Sequence, residues 1–332
     1  MLKEGKCMLE IVINHSEANQ KVFKFVKKYL NNAPLSLIYK IFRKKDVKVN
    51  GKRVNEDYIL KENDYVQIYV PNDFTNISET KELKETKITF EVLYEDENLL
   101  AVYKPQGLLV VEDENESTNT LSNQVLVYLA NKNEYSIETK GFTPAPVHRI
   151  DRNTSGIVLI AKNMLASQEL TKMFKERTNI VKSYLALVKG ILNGKGEINK
   201  NLIKDDNKSF VRVCKSNEGM NALTLYEVKE HIQNYSLVSL TLKTGRTHQI
   251  RVHMSSIDHP LIGDAKYGDF ELNKLFKKNY HWEKQFLHAS EVSFEGINGP
   301  LSYLNSVKIV SPLPHENIKL LNKLRSEEKC NS

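Results

Sequence analysis

The chain has 332 residues, with 48 Lys and Arg, 41 Asp and Glu and a net charge of +7. This length suits two domains, and a hydrophobic content of 40% excludes a wholly disordered chain. The longest apolar run, residues 156–161, is far shorter than the roughly 20 residues of a membrane helix. The N-terminus lacks an apolar stretch of signal-peptide length, and three scattered cysteines indicate neither a disulfide framework nor a zinc site. We therefore expect a cytoplasmic protein without membrane association.

The positive charge is concentrated near the N-terminus. Residues 1–70 hold 14 basic and 8 acidic side chains, whereas residues 71–87 carry −1 and the remaining chain +2. A basic surplus on a small unit is typical of nucleic-acid binding. A solvated lysine-rich surface has the same composition and is the alternative interpretation.

Residues 11–70 are predicted to form a compact α+β unit. Apolar residues at helical spacing predict helices over 21–30 and 35–43. Alternating valines on both sides of an Asn-Gly pair predict a hairpin over 47–54, and the alternation over 65–70 predicts a closing strand.

This order of helix, helix and hairpin resembles the S-four type RNA-binding domain. Its most specific part is the run 41–54, where a basic helix end precedes the pattern V-x-V-N-G-x-x-V. Contacts from such a unit to phosphates position RNA without reading its sequence. The predicted RNA-binding residues here are Arg43, Lys44, Lys45, Lys48, Lys52 and Arg53.

A polar segment over 71–87 is predicted to be a linker, and residues 88–320 to be a second, larger domain. Its strand-like runs outnumber its helices, which favours an α+β fold with a mixed, mainly antiparallel central sheet. Predicted strands cover 90–94, 99–103, 156–160, 183–188 and 237–242, and predicted helices cover 121–130 and 166–175. The charged segment 191–212 is predicted to be either a substrate-facing loop or a solvated hairpin.

The most informative motif is the polar turn His148–Gly156, which reads H-R-I-D-R-N-T-S-G and leads into an apolar strand. A carboxylate at such a turn is held by a rigid element yet exposed to a cleft. Arg149 would keep Asp151 ionised if the two side chains are close. By itself, the motif also fits a turn stabilised by an Asp hydrogen bond.

This motif is similar to the H-R-L-D-x-x-T-S-G signature of the RluA-type pseudouridine synthases, and four further family blocks occur in the expected order. In full, the blocks are Lys104–Leu108 (K-P-x-G-L), His148–Gly156, Lys182–Gly190 (K-x-Y-x-A-L-V-x-G), Thr244–His253 (T-G-R-x-H-Q-I-R-x-H) and its continuation His259–Gly268. The resemblance implies isomerisation of uridine within structured RNA, with large-subunit ribosomal RNA as the favoured substrate. The isomerisation neither adds atoms to the uridine nor removes them overall, so no cofactor is implied. Because a stacked uridine cannot present its glycosidic bond, the base must be flipped out.

The resemblance also implies roles for individual residues. Asp151 matches the catalytic aspartate, which either attacks the anomeric carbon of the sugar or removes a proton from the neighbouring ribose carbon. Arg251 matches the residue that pairs with this aspartate. Tyr184 matches the tyrosine that stacks on the target base.

Three further basic residues are expected to contact RNA. Arg149 matches a residue that fills the space left by the base or contacts neighbouring phosphates, and Lys182 and Arg246 are expected to contact the backbone. Two histidines, His248 and His253, lack the spacing and accompanying ligands of a zinc site, so no metal is predicted.

Some positions depart from the family pattern. Ile150 replaces the usual leucine, and residues 111–113 (V-E-D) stand where His-Pro is common. Residues 219–222 lack a lysine that is frequent after the glycine. These differences concern contacts to the substrate rather than the chemistry.

Two other functions compete with isomerisation of ribosomal RNA. The first is the same reaction on transfer RNA, and the second is a non-catalytic RNA-binding factor in ribosome assembly. Retention of Asp151, Tyr184 and Arg251 argues against the non-catalytic factor. The protein is expected to act as a monomer.

Overall fold

The structure is a computed structural model that describes most of the chain. Its described residues are 6–30, 33–71, 74, 86–136, 142–205, 210–215 and 218–331. Within these ranges the chain forms a four-stranded sheet, a ten-stranded sheet and a separate two-stranded hairpin. No helix in these ranges combines the length and apolar character needed to cross a bilayer.

The N-terminal unit packs two helices on the four-stranded sheet. Its elements are β1 (Lys6–Val12), α1 (Val22–Tyr29), α2 (Leu35–Arg43), β2 (Val47–Val49), β3 (Lys52–Arg53) and β4 (Tyr65–Pro71). The strand order is β1-β4-β2-β3, and all pairs are antiparallel. Phe25, Ile38 and Ile68 are almost fully buried in its core. The unit therefore has a hydrophobic core of its own.

The hairpin between β2 and β3 forms because its Asn-Gly turn fits the strand twist. Asn50 and Gly51 both have positive φ, 52° and 76°, as a tight hairpin turn requires. The Asn50 side chain also accepts a hydrogen bond from the Tyr65 amide and donates one to Asp64. The turn is thus fastened to the start of β4.

The N-terminal sheet extends beyond the predicted boundary at residue 11. Strand β1 pairs with β4 along its whole length, from Lys6 to Val12. Of the predicted linker over 71–87, residues 72–73 and 75–85 lie outside the described residues. The N-terminal unit touches the larger unit through hydrogen bonds from Lys28 to Thr143 and from Gln168 to the carbonyl of Asn19.

The larger unit is built on the ten-stranded sheet. Its strands are β5 (Glu91–Glu95), β6 (Leu99–Lys104), β7 (Ala145–Pro146), β8 (Ser155–Ala161), β9 (Ile180–Lys189), β10 (Lys195–Asn199), β13 (Leu223–Ile232), β14 (Tyr235–Leu242), β15 (Leu287–Phe294) and β16 (Lys308–Val310). Its helices are α3 (Leu121–Asn131), α4 (Met164–Glu176), α5 (Gln249–Ser255), α6 (Phe270–Tyr280) and α7 (His315–Asn331). A separate hairpin joins β11 (Leu202–Asp205) and β12 (Phe210–Val213).

The order of the large sheet is β10-β13-β14-β9-β15-β8-β6-β5, with β16 beside β15 and β7 beside β8. Every pair is antiparallel except β15 with β8. This architecture confirms the predicted α+β fold with a mixed, mainly antiparallel sheet. Of the charged segment over 191–212, which was predicted to be a substrate-facing loop or a solvated hairpin, the described residues include β10, β11 and most of β12, and β11 pairs with β12 as a hairpin.

Strand β8 lies inside the sheet, and all seven of its residues are buried. This explains its unbroken apolar sequence, because a strand covered on both faces has no polar alternation. Its first residues make the parallel contact with β15, where Ser155 hydrogen-bonds the buried His288 at 2.9 Å. The polar turn before β8 is therefore anchored at its C-terminal end by a rigid strand.

Gly156 is required for this close contact of β8 and β15. Its φ is +112°, and a Cβ added there would overlap the backbone of Ala289. We expect Gly156→Ala to lower the free energy of unfolding by about 2–4 kcal/mol because of this overlap and the backbone strain. The measurement is urea unfolding followed by circular dichroism.

Gly299→Ala is the matched control. Gly299 also has a positive φ, +86°, but no atom lies within 4 Å of an added Cβ. It should cost only the backbone strain, about 1 kcal/mol. Equal losses in the two variants would show that the contact with Ala289 is not the cause.

Candidate active site

The candidate site is a cavity of about 910 Å³ whose floor is formed by the turn before β8, by β9 and by α5. Asp151, Tyr184 and Arg251 all line it. The structure thus brings together three residues that are separated in sequence by up to 100 positions. A cavity of this size falls within the range of small-molecule and cofactor sites.

The turn that carries Asp151 is fastened by buried hydrogen bonds on both sides. Lys104 is fully buried, and its Nζ donates to the carbonyls of Arg152, Pro105 and Leu108 at 2.8–3.0 Å. Thr154 accepts a hydrogen bond from Gln285. Burial lowers the pKa of Lys104 to about 7, while the charge of Asp151 acts in the opposite direction. Lys104, the first residue of the K-P block, therefore holds the backbone of the turn in place through its hydrogen bond to Arg152.

Asp151 is paired with Arg251 through one carboxylate oxygen. Nη1 of Arg251 donates to Oδ2 of Asp151 at 2.9 Å, and the Asp151 side chain is 28% exposed. Oδ1 accepts no hydrogen bond from the described part of the chain. One oxygen is thus held by the protein, and the other is available to a ligand in the cavity.

Arg251 is held in turn by a second carboxylate that the sequence analysis did not single out. Its Nε and Nη2 donate to the two oxygens of Asp264 at 2.7 and 2.8 Å. Asp264 is fully buried and also accepts from the amides of Lys266 and Tyr267. The guanidinium lies over the Tyr267 ring, 5.1 Å from its centroid.

Electrostatics keep Arg251 and Asp264 ionised. Burial opposes the charge of Arg251, but the hydrogen bonds and charges of Asp264 and Asp151 outweigh it and raise the pKa of Arg251. Burial likewise opposes the charge of Asp264, yet the bonds from Arg251 lower the pKa of Asp264 below its usual value. Both groups of the pair are therefore charged at neutral pH.

Tyr184 lies in mid-strand on β9 and is only 6% exposed. It packs in the apolar cluster that contains Ile150 and Ile250, and it lines the cavity. Burial and the nearby charge of Asp151 raise the pKa of Tyr184, so its phenol is neutral. It thus combines a core position with access to the cavity.

Among the charged residues that line the cavity, basic residues outnumber acidic ones. Four acidic residues are set against eight basic residues, namely Arg149, Arg152, Lys175, Arg177, Lys182, Lys243, Arg246 and Arg251. All three residues of this unit that were predicted to contact RNA, Arg149, Lys182 and Arg246, are among the eight, and the altered loop Val111–Asp113 also lines the cavity. Lys175, Arg177 and Lys243 were missed because no motif contains them.

Two of the predicted RNA-contacting residues are partly buried. Lys182 lies over the Phe174 ring at 4.8 Å, and burial together with Arg177 lowers the pKa of Lys182 to about 8. Arg246 donates to the carbonyl of Asn221, and burial lowers its pKa too. Arg149 is exposed.

The six predicted RNA-binding residues of the N-terminal unit lie at the end of α2 and in the β2–β3 hairpin. Lys48 is half-buried above the Tyr69 ring, and the other five are exposed. Lys48 stands opposite Arg53 across the two strands. We call these six residues the basic edge of the N-terminal unit.

Comparison with known proteins identifies the family. A family model described as RNA pseudouridylate synthase matches residues 98–256. A ribosomal large subunit pseudouridine synthase C from Haemophilus ducreyi is 35% identical over 322 residues, which cover 95% of each chain. An uncharacterized RNA pseudouridine synthase from Mycoplasma capricolum is 33% identical and covers 91% of this chain and 97% of its own.

The chain belongs to the RluA-type RNA pseudouridine synthase family. It is an isomerase that acts on RNA, as the sequence analysis predicted. Among solved structures, human RNA pseudouridylate synthase domain containing 4 shares the fold, with a TM-score of 0.57 and 23% identity. That comparison covers 70% of this synthase and 92% of the human chain.

The two histidines of the fourth block have different surroundings in this synthase. His253 is fully buried between Thr224 and the carbonyl of Lys200, whereas His248 faces Asp151 and Tyr267. Within the described ranges, no group of three potential ligands is placed to hold a metal ion. The two side chains do not share a site.

Loss of the Asp264 charge should destabilise the synthase. Asp264→Asn leaves the buried Arg251 without its bidentate partner, so we expect a loss of about 3 kcal/mol in unfolding free energy at pH 7. Because folding lowers the pKa of Asp264, its contribution is present above about pH 4 and is lost as the pH falls through the folded value. Urea unfolding at pH 7 and pH 3 should show the gap between the two proteins narrowing in acid.

Asp269→Asn is the control for this prediction. Asp269 lies five residues further along and pairs with Lys189 at the surface. Its removal should cost no more than about 1 kcal/mol. Similar losses at Asp264 and Asp269 would contradict a special role of the buried pair.

Proposed function

We propose that this synthase isomerises uridines of large-subunit ribosomal RNA, with Asp151 as the catalytic carboxylate. The observation that carries the proposal is the Asp151 carboxylate itself, which is held through Oδ2 by Arg251 and open at Oδ1 in a basic cavity. The reaction breaks the bond between N1 and C1′ and forms a bond between C5 and C1′. The proton of C5 is lost, and N1 gains one.

Both roles considered for Asp151 require the same geometry. Attack on C1′ and removal of a proton from C2′ each need an ionised carboxylate with one oxygen facing the sugar. Pairing with Arg251 favours the ionised form and fixes the orientation of the side chain. Oδ1 is the oxygen that reaches the ribose in this proposal.

The target uridine enters the cavity by leaving its stack. Tyr184 is proposed to stack on the flipped base, since its neutral ring lies in the same cavity as Asp151. Flanking phosphates are bound by Arg149, Lys182 and Arg246. The excess of basic over acidic groups in the walls supports this arrangement.

The N-terminal unit is proposed to be an S-four type domain that holds structured RNA outside the cavity. Its exposed basic edge at the end of α2 and in the β2–β3 hairpin suits contacts with phosphates. Large-subunit ribosomal RNA is favoured as the substrate because relatives named ribosomal large subunit pseudouridine synthase C align over nearly the whole chain. The cytoplasm is the proposed site of action, and the monomeric state stays a prediction.

Replacement of Asp151 tests the function directly. Asp151→Asn keeps the shape of the side chain but removes its charge, so we expect turnover to fall by about 10²–10⁴-fold or more while RNA binding stays near wild type. In cells that lack this synthase, wild type should restore pseudouridine at the affected positions and Asp151→Asn should not. Pseudouridine mapping of total RNA is the measurement.

Asp269→Asn, which alters a carboxylate outside the cavity, is the control and should restore modification. Retained turnover in Asp151→Asn would refute the catalytic role. Loss of modification confined to transfer RNA would replace the proposed substrate but leave the chemistry intact.

The docking role of the N-terminal unit is tested by removing its charge. We expect replacement of all six basic residues by Gln to weaken RNA binding and flatten its dependence on salt, because fewer counterions are released. With all six engaged, the slope of log K against log[salt] should fall by up to about five. The variant carries Gln at Arg43, Lys44, Lys45, Lys48, Lys52 and Arg53.

A variant with Gln at Lys274, Lys277 and Lys278 on α6 controls for loss of charge elsewhere. Its slope should stay close to that of wild type. An unchanged slope in the six-residue variant would exclude docking by the N-terminal unit.

A further inference from the structure

His248 occupies a position that neither the family signature nor the proposed mechanism explains. It precedes α5, lines the cavity, and lies with Nε2 3.9 Å from Oδ2 of Asp151. Its backbone is in the left-handed region, with φ 53° and ψ 20°. A residue other than glycine held in that region is strained, and such strain is concentrated at functional sites.

The hydrogen bonds around Tyr267 favour one tautomer of His248. The Tyr267 hydroxyl oxygen accepts a hydrogen bond from the amide of Val211 at 2.9 Å. The other partner is Nδ1 of His248, also at 2.9 Å, and a hydroxyl that donates there satisfies both contacts of Tyr267. Because Nδ1 accepts, the proton of a neutral imidazole is on Nε2.

The surroundings keep this imidazole neutral. Burial lowers the pKa of His248, and the charges of Arg251 and Lys266 act in the same direction. The charges of Asp151 and Asp264 act in the opposite direction without reversing the shift. At neutral pH, His248 thus directs an uncharged Nε2–H group toward Asp151.

We propose that His248 is a positioning residue for Asp151. In this role, His248 presents its Nε2–H to Oδ2 of Asp151 and leaves Oδ1 as the oxygen that acts on the ribose. This inference rests on the proposed catalytic role of Asp151. Arg251 already holds Oδ2, so both protein donors converge on one oxygen. The carboxylate is then prevented from rotating to exchange its two oxygens.

The present separation of 3.9 Å is longer than a hydrogen bond by about 1 Å. Catalytic hydrogen bonds are often long in the absence of substrate and shorten in the complex. The neutral form suits the role, because a charged imidazole would compete with Arg251 and lower the reactivity of the carboxylate. Tyr267 also joins the β11–β12 hairpin to this arrangement through Val211.

The first test is the tautomer, which does not depend on activity. Long-range ¹H–¹⁵N NMR spectra of the full-length synthase with labelled histidine separate the two neutral forms and the charged form. His248→Gln identifies the signal that belongs to His248. We expect the Nε2–H form at pH 7; a charged ring or the Nδ1–H form would overturn the inference.

The second test measures kinetics with an RNA that contains the target uridine. His248→Ala should lower kcat by about tenfold and change KM by less than about twofold, because the donor acts on Asp151 and not on RNA binding. His248→Gln retains a side-chain N–H donor and should recover part of kcat. An unchanged kcat, or an effect confined to KM, would contradict the inference.

Tyr267→Phe tests the link to Tyr267. It removes the donor to Nδ1, which is then free to take up a proton, so the acid limb of the kcat profile should move to higher pH. His259→Gln is the control, because His259 bonds the carbonyl of Lys189 outside the cavity and its loss should leave the profile unchanged. An acid limb that does not move in Tyr267→Phe would overturn the link.

Failure of this inference is distinguishable from failure of the proposed function. If Asp151→Asn is active, the proposed function fails whatever the tautomer of His248. If Asp151→Asn is inactive but the Nδ1–H form is found, only the role of His248 is refuted.

Discussion

The buried guanidinium of Arg251 is the constraint on which the site depends. It cannot lose its charge, so a group placed almost out of water at this position requires full pairing. Asp264 meets that need with both oxygens, and its own charge is compensated by the amides of Lys266 and Tyr267. Arg251 therefore has one nitrogen left for Asp151. The carboxylate proposed to react is thus oriented by an ion pair that is almost fully buried.

In the proposed function, RNA binding and the chemistry take place in different parts of the structure. The basic edge of the N-terminal unit is exposed, where phosphate contacts are screened by salt and readily reversed. The charges beneath the cavity are buried and fixed by hydrogen bonds, so their geometry hardly depends on solvent.

Local patterns predicted some elements well and others poorly. Helix α2 has the predicted bounds, and β8 extends the predicted strand by one residue at each end, because their apolar spacing matches how they are buried. Helix α5 was missed by the sequence analysis. Its buried residues include the polar Gln249, Arg251 and His253, so the sequence shows no apolar face at helical spacing. Strand β15 was missed for a similar reason, as His288 is buried between Ser155 and the carbonyl of Ser311. Asp264 and Tyr267 stand in a recognised block, but only folding reveals what they touch.

The parallel contact of β8 with β15 has a consequence for how the molecule is made. Ser155 follows the turn of Asp151, yet its partner His288 comes 133 residues later. During synthesis, the ribosome must therefore produce most of the chain before this pairing is possible, and such distant contacts form slowly. Until then β8, whose seven residues are all buried in the folded protein, lacks one neighbour. The nascent polypeptide thus has an unpaired strand edge at β8 until β15 has been made.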